Sequence, residues 1–330
     1  MIDAICRHGR AAAALMLAAV VQHAAAQDDA SRNYPNRPVR VVVGLAAGGG
    51  IDVIARVLAQ RMSENLGQPV LVENRPGASG IIAAEGVAKA APDGYTLMMA
   101  PSGPMVFNAV MYPKLSYSPL RDFAPVGMVA SFPLLAVVNA ATPVKSLREL
   151  ADYARANPAR ANYAASTAAF QLTSELFNIL AGVKMENISY KGTNESLSAV
   201  IAGDVLTVFA DAGPASGAIR GGKVRALAVT APKRLPAFPD VPTVAEAGFP
   251  QLDVQLWSAL FAPAGTPAAI VKKLEDEVGR ALRAPDVQQR FATLNVSAGG
   301  ASAAEMAPLM QAEIARWSEV AKKSGIKLNP

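Results

Sequence analysis

The residues best suited to chemistry lie in the stretch 48–52, where Gly48, Gly49 and Gly50 precede Asp52. Val39 and Val41 to Val43 come just before, a β-branched run that reads as a strand buried on both faces. Ile51, Ile54, Ala55 and Leu58 follow at helical spacing, with Asp52 in the first turn. Glycines between a strand end and a helix start leave backbone N–H groups free. The helix dipole adds partial positive charge, so the junction can cradle an anion. Phosphate, nucleotide and carboxylate all fit that description. Glu73 closes the next strand, as the ribose-binding acid of a dinucleotide fold does, but the glycines are not spaced G-x-G-x-x-G. Glu73, Asn74 and Arg75 read better as stabilising their own loop, and Asp52 also fits a dipole partner of its own helix.

Other residue types narrow the chemistry by their positions. The one cysteine, Cys6, and the two histidines, His8 and His23, all precede residue 27. Arg7, His8 and Arg10 form a basic head, residues 11–21 an apolar stretch, and Ala24-Ala25-Ala26 a small-residue cleavage site. That is the pattern of a secretory signal peptide, 1–26, and it predicts a periplasmic mature chain without histidine or cysteine. Ser-His-Asp and Cys-His catalysis, His- or Cys-ligated zinc and disulfides then fall away. No metal, no cofactor and no catalytic residue is expected. The formal net charge is +5, yet no lysine–arginine cluster interleaves with aromatic residues, so nucleic acid is not an expected partner.

Two series of strand–helix units must position the junctions. The first has strands at 39–43, 69–72 and 95–100, helices at 51–65 and 81–90, and a second glycine junction, Pro101-Ser102-Gly103-Pro104, opening a helix near Met105. The second begins at Ser146, whose Glu149 completes a capping-box pattern. It continues with a strand at 162–165, the loop Ser166-Thr167-Ala168-Ala169 and a helix at 170–181. A strand and turn at 188–192, a helix at 196–202, a strand at 205–210 ending at Asp211, a strand at 224–229 and a short helix at 244–247 complete it. Apolar extended segments at 126–138, interrupted by Pro133, and at 254–262 bracket this middle third. Helices starting at Pro267 and spanning 302–323 close the chain. The fold class is α/β with ligands expected at the strand C-terminal ends. Two chain crossings fit a hinged, two-lobed cleft receptor, and one continuous sheet also fits.

The ordered landmarks Arg37-Pro38-Val39-Arg40, Gly48-Gly49-Gly50 with Asp52 and Arg56, and Val72-Glu73-Asn74-Arg75-Pro76-Gly77 open a longer pattern. Pro92-Asp93-Gly94-Tyr95, Tyr190-Lys191-Gly192, Asp240-Val241-Pro242-Thr243 and Trp257 with Ala262 to Pro267 continue it. In that order they resemble the Bug family, the solute-binding proteins of tripartite tricarboxylate transporters. The resemblance implies a type II periplasmic-binding-protein architecture, with lobe 1 from 27–128 and 254–330 and lobe 2 from 129–253. It implies a monomer that binds a small organic carboxylate, such as a di- or tricarboxylate, an acidic amino acid or an aromatic acid. That solute would pass to membrane permease subunits, without chemistry. A sensor kinase as the reader of the closed form, and an exported α/β enzyme, are the alternatives.

Carried over residue by residue, the ligand contacts are Ala47, Gly48, Gly49, Asp52 and Ser102 from the first lobe, and Ser166, Thr167 and Asp211 from the second. The chain departs from the family pattern at Ala164–Gln171, where more glycine and a histidine are usual, and at Gly44–Ala47, where a proline is usual. Phe170 in the first departure points toward a bulkier or aromatic acid.

Overall fold

Val39 to Val43 form β1 (Val39–Val43), the inner strand of a sheet whose valines are almost wholly buried. The computed structural model describes residues 33–326; the expected signal peptide lies outside them. In chain order β1 is followed by α1 (Gly50–Leu66), β2 (Val70–Asn74), α2 (Ile81–Ala88) and β3 (Thr96–Pro101). A π-helical turn, Gly103–Phe107, runs into the single turn α3 (Asn108–Met111). Next come β4 (Phe123–Asn139), α4 (Leu147–Ala156), β5 (Asn162–Ala165), α5 (Ala168–Ala181), β6 (Glu186–Ser189), α6 (Thr193–Ala202) and β7 (Thr207–Asp211). The chain continues with α7 (Ala212–Arg220), β8 (Val224–Val229), β9 (Gln255–Pro263), α8 (Ala268–Arg283), α9 (Pro285–Thr293), β10 (Ser297–Ala298) and α10 (Ala303–Ser324). Its helix ends follow local chemistry. Gly67 closes α1 at φ 66°, and Ser302 and Glu305 build the capping box that opens α10.

β4 is the element that makes two lobes of one chain. Its first part, through Pro133, pairs antiparallel with β9, in the sheet that also holds β2, β1 and β3. From Leu134 onward it pairs with β7 on one side and β8 on the other, in a second sheet that continues through β5 to β6. The 126–138 segment is therefore one strand, not an interrupted run. Pro133 is tolerated because it stands where β4 changes sheets: it faces Gln255 as the last β9 pair, and Leu134 faces Asp211 as the first β7 pair.

The return crossing, before β9, is tied to the outgoing one by a single buried residue, Thr230. Its hydroxyl accepts from the Leu134 N–H at 2.8 Å and donates to the Val254 carbonyl at 2.5 Å. Its own N–H donates to the Leu134 carbonyl at 2.9 Å. The C-terminal helix α10 adds a second tie. It packs against β4, the turn before α3, and α5, with Trp317 5.2 Å from the Phe107 ring. Met306, Met310 and Trp317 thus share one core with Phe170 and Phe177 of the other lobe.

One local expectation fails, one shifts and one helix was unread, each for an identifiable reason. Residues 244–247 form a turn, not a helix. Thr243 and Glu246 exchange cap hydrogen bonds at 2.7 and 3.1 Å, but Gly248 at φ 90° and Pro250 prevent propagation. The strand and turn expected at 188–192 begin two residues earlier, with the strand part as β6, Glu186–Ser189. Helix α7 was not anticipated at all, since Gly213, Pro214 and Gly217 are poor helix formers; yet Pro214 sits in the first turn, where its missing N–H leaves no bond unmade. The Thr230 tie yields a test. Thr230→Val should lower unfolding stability by about 1–3 kcal/mol, because it strands a buried N–H and a buried carbonyl. Urea unfolding measures this, and a change within about 0.5 kcal/mol would show that the tie carries nothing.

Candidate functional site

Between the lobes lies a cleft of about 1010 Å³, and its floor is the pair of crossing strands, represented by Phe132, Pro133, Leu256 and Trp257. The junctions read from sequence arrive here because strands β1, β3, β5 and β7 all end at this face. Gly48, Gly50 and Ile51 at the start of α1, and Ser102 and Gly103 after β3, line one wall. Ser166, Thr167 and Ala168 at the start of α5, Thr193 at the start of α6, and Asp211 to Gly213 at the start of α7 line the other. Four helices of nine or more residues therefore direct their N-termini at one space.

The first wall is held by a hydrogen-bonded knot under the glycines. Asp52 is buried, with one oxygen accepting from Gly48 N–H at 2.8 Å and Arg56 Nε at 3.0 Å, and the other from Asn74 Nδ2 at 2.9 Å. Asn74 Nδ2 also reaches the Leu45 carbonyl at 3.1 Å, while Arg56 donates to Asn74 Oδ1 at 2.9 Å. Burial alone would raise the Asp52 pKa, but the bonds from Arg56, Gly48 and Asn74 outweigh it and hold the carboxyl below its ordinary value. Gly48 itself sits at φ 80°, which favours glycine whatever the surrounding space. Glu73 takes Arg75 at 2.7 Å, within its own loop.

Of the eight residues expected to touch a ligand, Gly48, Ser102, Ser166, Thr167 and Asp211 line the cleft. Ala47 and Gly49 stand behind Gly48 and Gly50, outside the lining, and Asp52 faces the knot. Thr167 also caps α5, accepting weakly from Phe170 N–H at 3.4 Å. Trp257 is buried, with its Nε1 donating to Glu313 at 2.9 Å, and it also lines the cleft floor.

The sequence reading missed several lining groups. Ser79 belongs to a left-handed run, Gly77 to Gly80, with φ of 142°, 45°, 54° and 84°, and no residue pattern announced it. Ala212 to Pro214 were lost with α7. Thr293 to Val296, at the end of α9, line the cleft just before β10 pairs with β4 at Ser131, and Asn295 Nδ2 approaches Ser216 Oγ at 3.5 Å.

The lining contains no lysine, arginine or histidine, and its ionisable side chains are Tyr112 and Asp211. Nothing charged offsets Asp211: it makes no cap bond to α7, and burial pushes its carboxyl up to about 6. Among the described residues no group of acidic, histidine or cysteine side chains could hold a metal. The arrangement offers backbone donors to an anion and apolar walls to its carbon skeleton, with no nucleophile–base pair.

The Asp52 knot makes two expectations. Asp52→Ala should keep the fold but weaken solute binding by roughly tenfold or more through a loosened loop, as calorimetric titration would show; unchanged affinity would remove the knot from the site's construction. Ionised Asp52 stabilises the fold above its unfolded value of 3.8, and this contribution is lost as pH falls through its lower folded value. The stability gap between wild type and Asp52→Asn should therefore shrink in acid, and a pH-independent gap in denaturant unfolding would contradict it.

Comparison with known proteins agrees with this geometry. The family described as "Tripartite tricarboxylate transporter family receptor" matches residues 54–326. Among solved structures, Rpa4515 of R. palustris, determined with adipate, is 36% identical with a TM-score of 0.79, covering 89% of this chain and 99% of that one. MatC (Rpa3494) of Rhodopseudomonas palustris, determined with bound malate, is 38% identical with a TM-score of 0.75 over 87% and 99%. The periplasmic binding protein BugD is 32% identical with a TM-score of 0.75 over 89% and 99%.

Proposed function

The chain belongs to the tripartite tricarboxylate transporter receptor family, and from that premise we propose that its cleft binds a small organic carboxylate between the lobes and hands it, unreacted, to a membrane permease. The observation that carries this reading is the convergence of four helix N-termini on a cleft without a basic side chain. One helix start contributes about 0.3–1 kcal/mol to an anion, up to about 2 where partly buried. Micromolar binding needs about 8 kcal/mol, so several termini and apolar burial must act together. Adipate and malate, the ligands of two relatives, are of the size and charge class that such a cleft accepts. The Phe107, Phe132 and Phe170 walls favour a longer or bulkier skeleton.

In this reading the lobes are 34–133 with 255–326, and 134–254, hinged at the Thr230 tie. Ser102, Ser166, Thr167 and the Gly50 and Ile51 amides contact the solute, while Asp52 holds the loop. The receptor works in the periplasm, where the N-terminal leader pattern would send it. Closing the lobes desolvates the carboxylate, and the closed form is what the permease recognises.

A thermal-shift screen of the purified chain without its first 26 residues, against a panel of mono-, di- and tricarboxylates and amino acids, tests the reading. At a hundredfold excess over Kd a true ligand adds about 2.7 kcal/mol, which raises Tm by several degrees. A flat response to every acid in the panel would overturn the proposal.

A further inference from the structure

Trp257 lines the cleft floor, yet the one polar atom of its side chain is bonded outside the lining. Its Nε1 donates at 2.9 Å to Glu313, which stands on α10 and is not among the residues that face the cleft. Glu313 is half-buried, and burial raises its carboxyl pKa against the opposing pull of the Trp257 bond and the Arg316 charge. Partial burial of a carboxyl against a neutral donor is a poor source of stability, since an apolar side chain of the same length would pack there without losing hydration. What the pair supplies is orientation. An indole has a single donor and no acceptor, and the torsion that turns its ring is broad and roughly two-fold. Packing against flat neighbours therefore leaves more than one way to lay the ring, and the N–H selects the one with its nitrogen toward α10.

The next residues of α10 hold the same region from behind. Arg316 donates to the carbonyls of Asp253 at 3.0 Å and Gln251 at 2.8 Å, in the segment that leads into β9. Trp317 backs Phe107, another lining side chain, at 5.2 Å. We propose that Glu313 is a positioning residue of the solute site: it never meets the solute, but its bond to the indole N–H fixes how Trp257 presents its ring to the cleft. This rests on the carboxylate reading of the same cleft and adds the group that shapes its floor. A ring held in one orientation before binding is a ready apolar surface for the solute's carbon skeleton, and binding is spared the cost of ordering it. Because Trp257 faces Ser131 two residues before Pro133, this surface also lies beside the point where β4 changes sheets.

The chain holds two tryptophans, Trp257 and Trp317, so its indole N–H groups give two NMR signals, which Trp257→Phe assigns. The experiment compares wild type, Glu313→Met and Glu313→Gln, each without the first 26 residues, free and titrated with malate, adipate, citrate, benzoate or glutamate. Methionine keeps the length of the side chain and removes the acceptor, whereas glutamine keeps an acceptor without the charge. In wild type the Trp257 signal should be single and should move when the tightest of these acids binds. Glu313→Met should split or broaden that signal and weaken the acid by roughly three- to tenfold, the cost of ordering one side chain on binding. Glu313→Gln should restore both. A role in stability alone would lower Tm and leave the signal and the Kd in place. A single, unmoved Trp257 signal in folded Glu313→Met, or an affinity within about twofold of wild type, would overturn the inference. Should Glu313→Met not fold, wild type decides: a Trp257 N–H that exchanges freely with solvent, or that ignores an acid shown by calorimetry to bind, would overturn it equally. Calorimetric silence from every one of these acids would count against the carboxylate reading itself, and this inference would fall with it.

Discussion

An anion leaving water for an apolar cleft must find its hydrogen bonds inside, and here no lysine or arginine supplies them. The donors are then neutral groups, a few side chains such as Ser102, Ser166 and Thr167 and, in greater number, the backbone N–H groups left free at the first turns of helices. That requirement explains the larger plan. Each helix start can reach the cleft only if its preceding strand ends there, so β1, β5 and β7 must be oriented with their C-terminal ends toward one space. Parallel pairing within each lobe, with helices as the connections, delivers this orientation.

A shared strand then lets two such sheets face each other. β4 serves both, and β9 returns beside it, so the floor of the cleft is also the connection between the lobes. Thr230 binds the outgoing and returning chains at the level where both change sheets. The α10 helix shares its aromatic and methionine side chains with both lobes. The binding surface on the first side is stiffened separately, by Asp52, Asn74 and Arg56 beneath the glycines.

Much of this was legible in the residues, and the rest was not, for physical reasons. Valine runs and glycine junctions mark β1, the start of α1 and the glycine loop between them, because strand burial and a tight strand-to-helix turn each demand a residue type. Ser166, Thr167 and Asp211 were placed on the right wall by resemblance and by strand–loop–helix order, and they line the cleft. Helix α7 escaped notice because glycine and proline are penalised inside helices but tolerated in a first turn that packs closely. The lining residues Thr293 to Val296 and the left-handed Ser79 depend on contacts distant in sequence, which no local pattern encodes. Asp52 shows the converse. Its position in the motif pointed to a loop at the cleft wall, while its direction, inward to Gly48, Arg56 and Asn74, is set by tertiary contacts.

The central claim is that backbone amides at helix starts, not a charged side chain, hold the solute's carboxylate. A crystal structure with the tightest solute bound tests it most directly. The account predicts carboxylate oxygens within hydrogen-bond distance of the N–H groups of residues 50 and 51, and lobes closed about the Thr230 crossing. A carboxylate paired with a lysine or arginine side chain, or seated away from the α1 start, would contradict it.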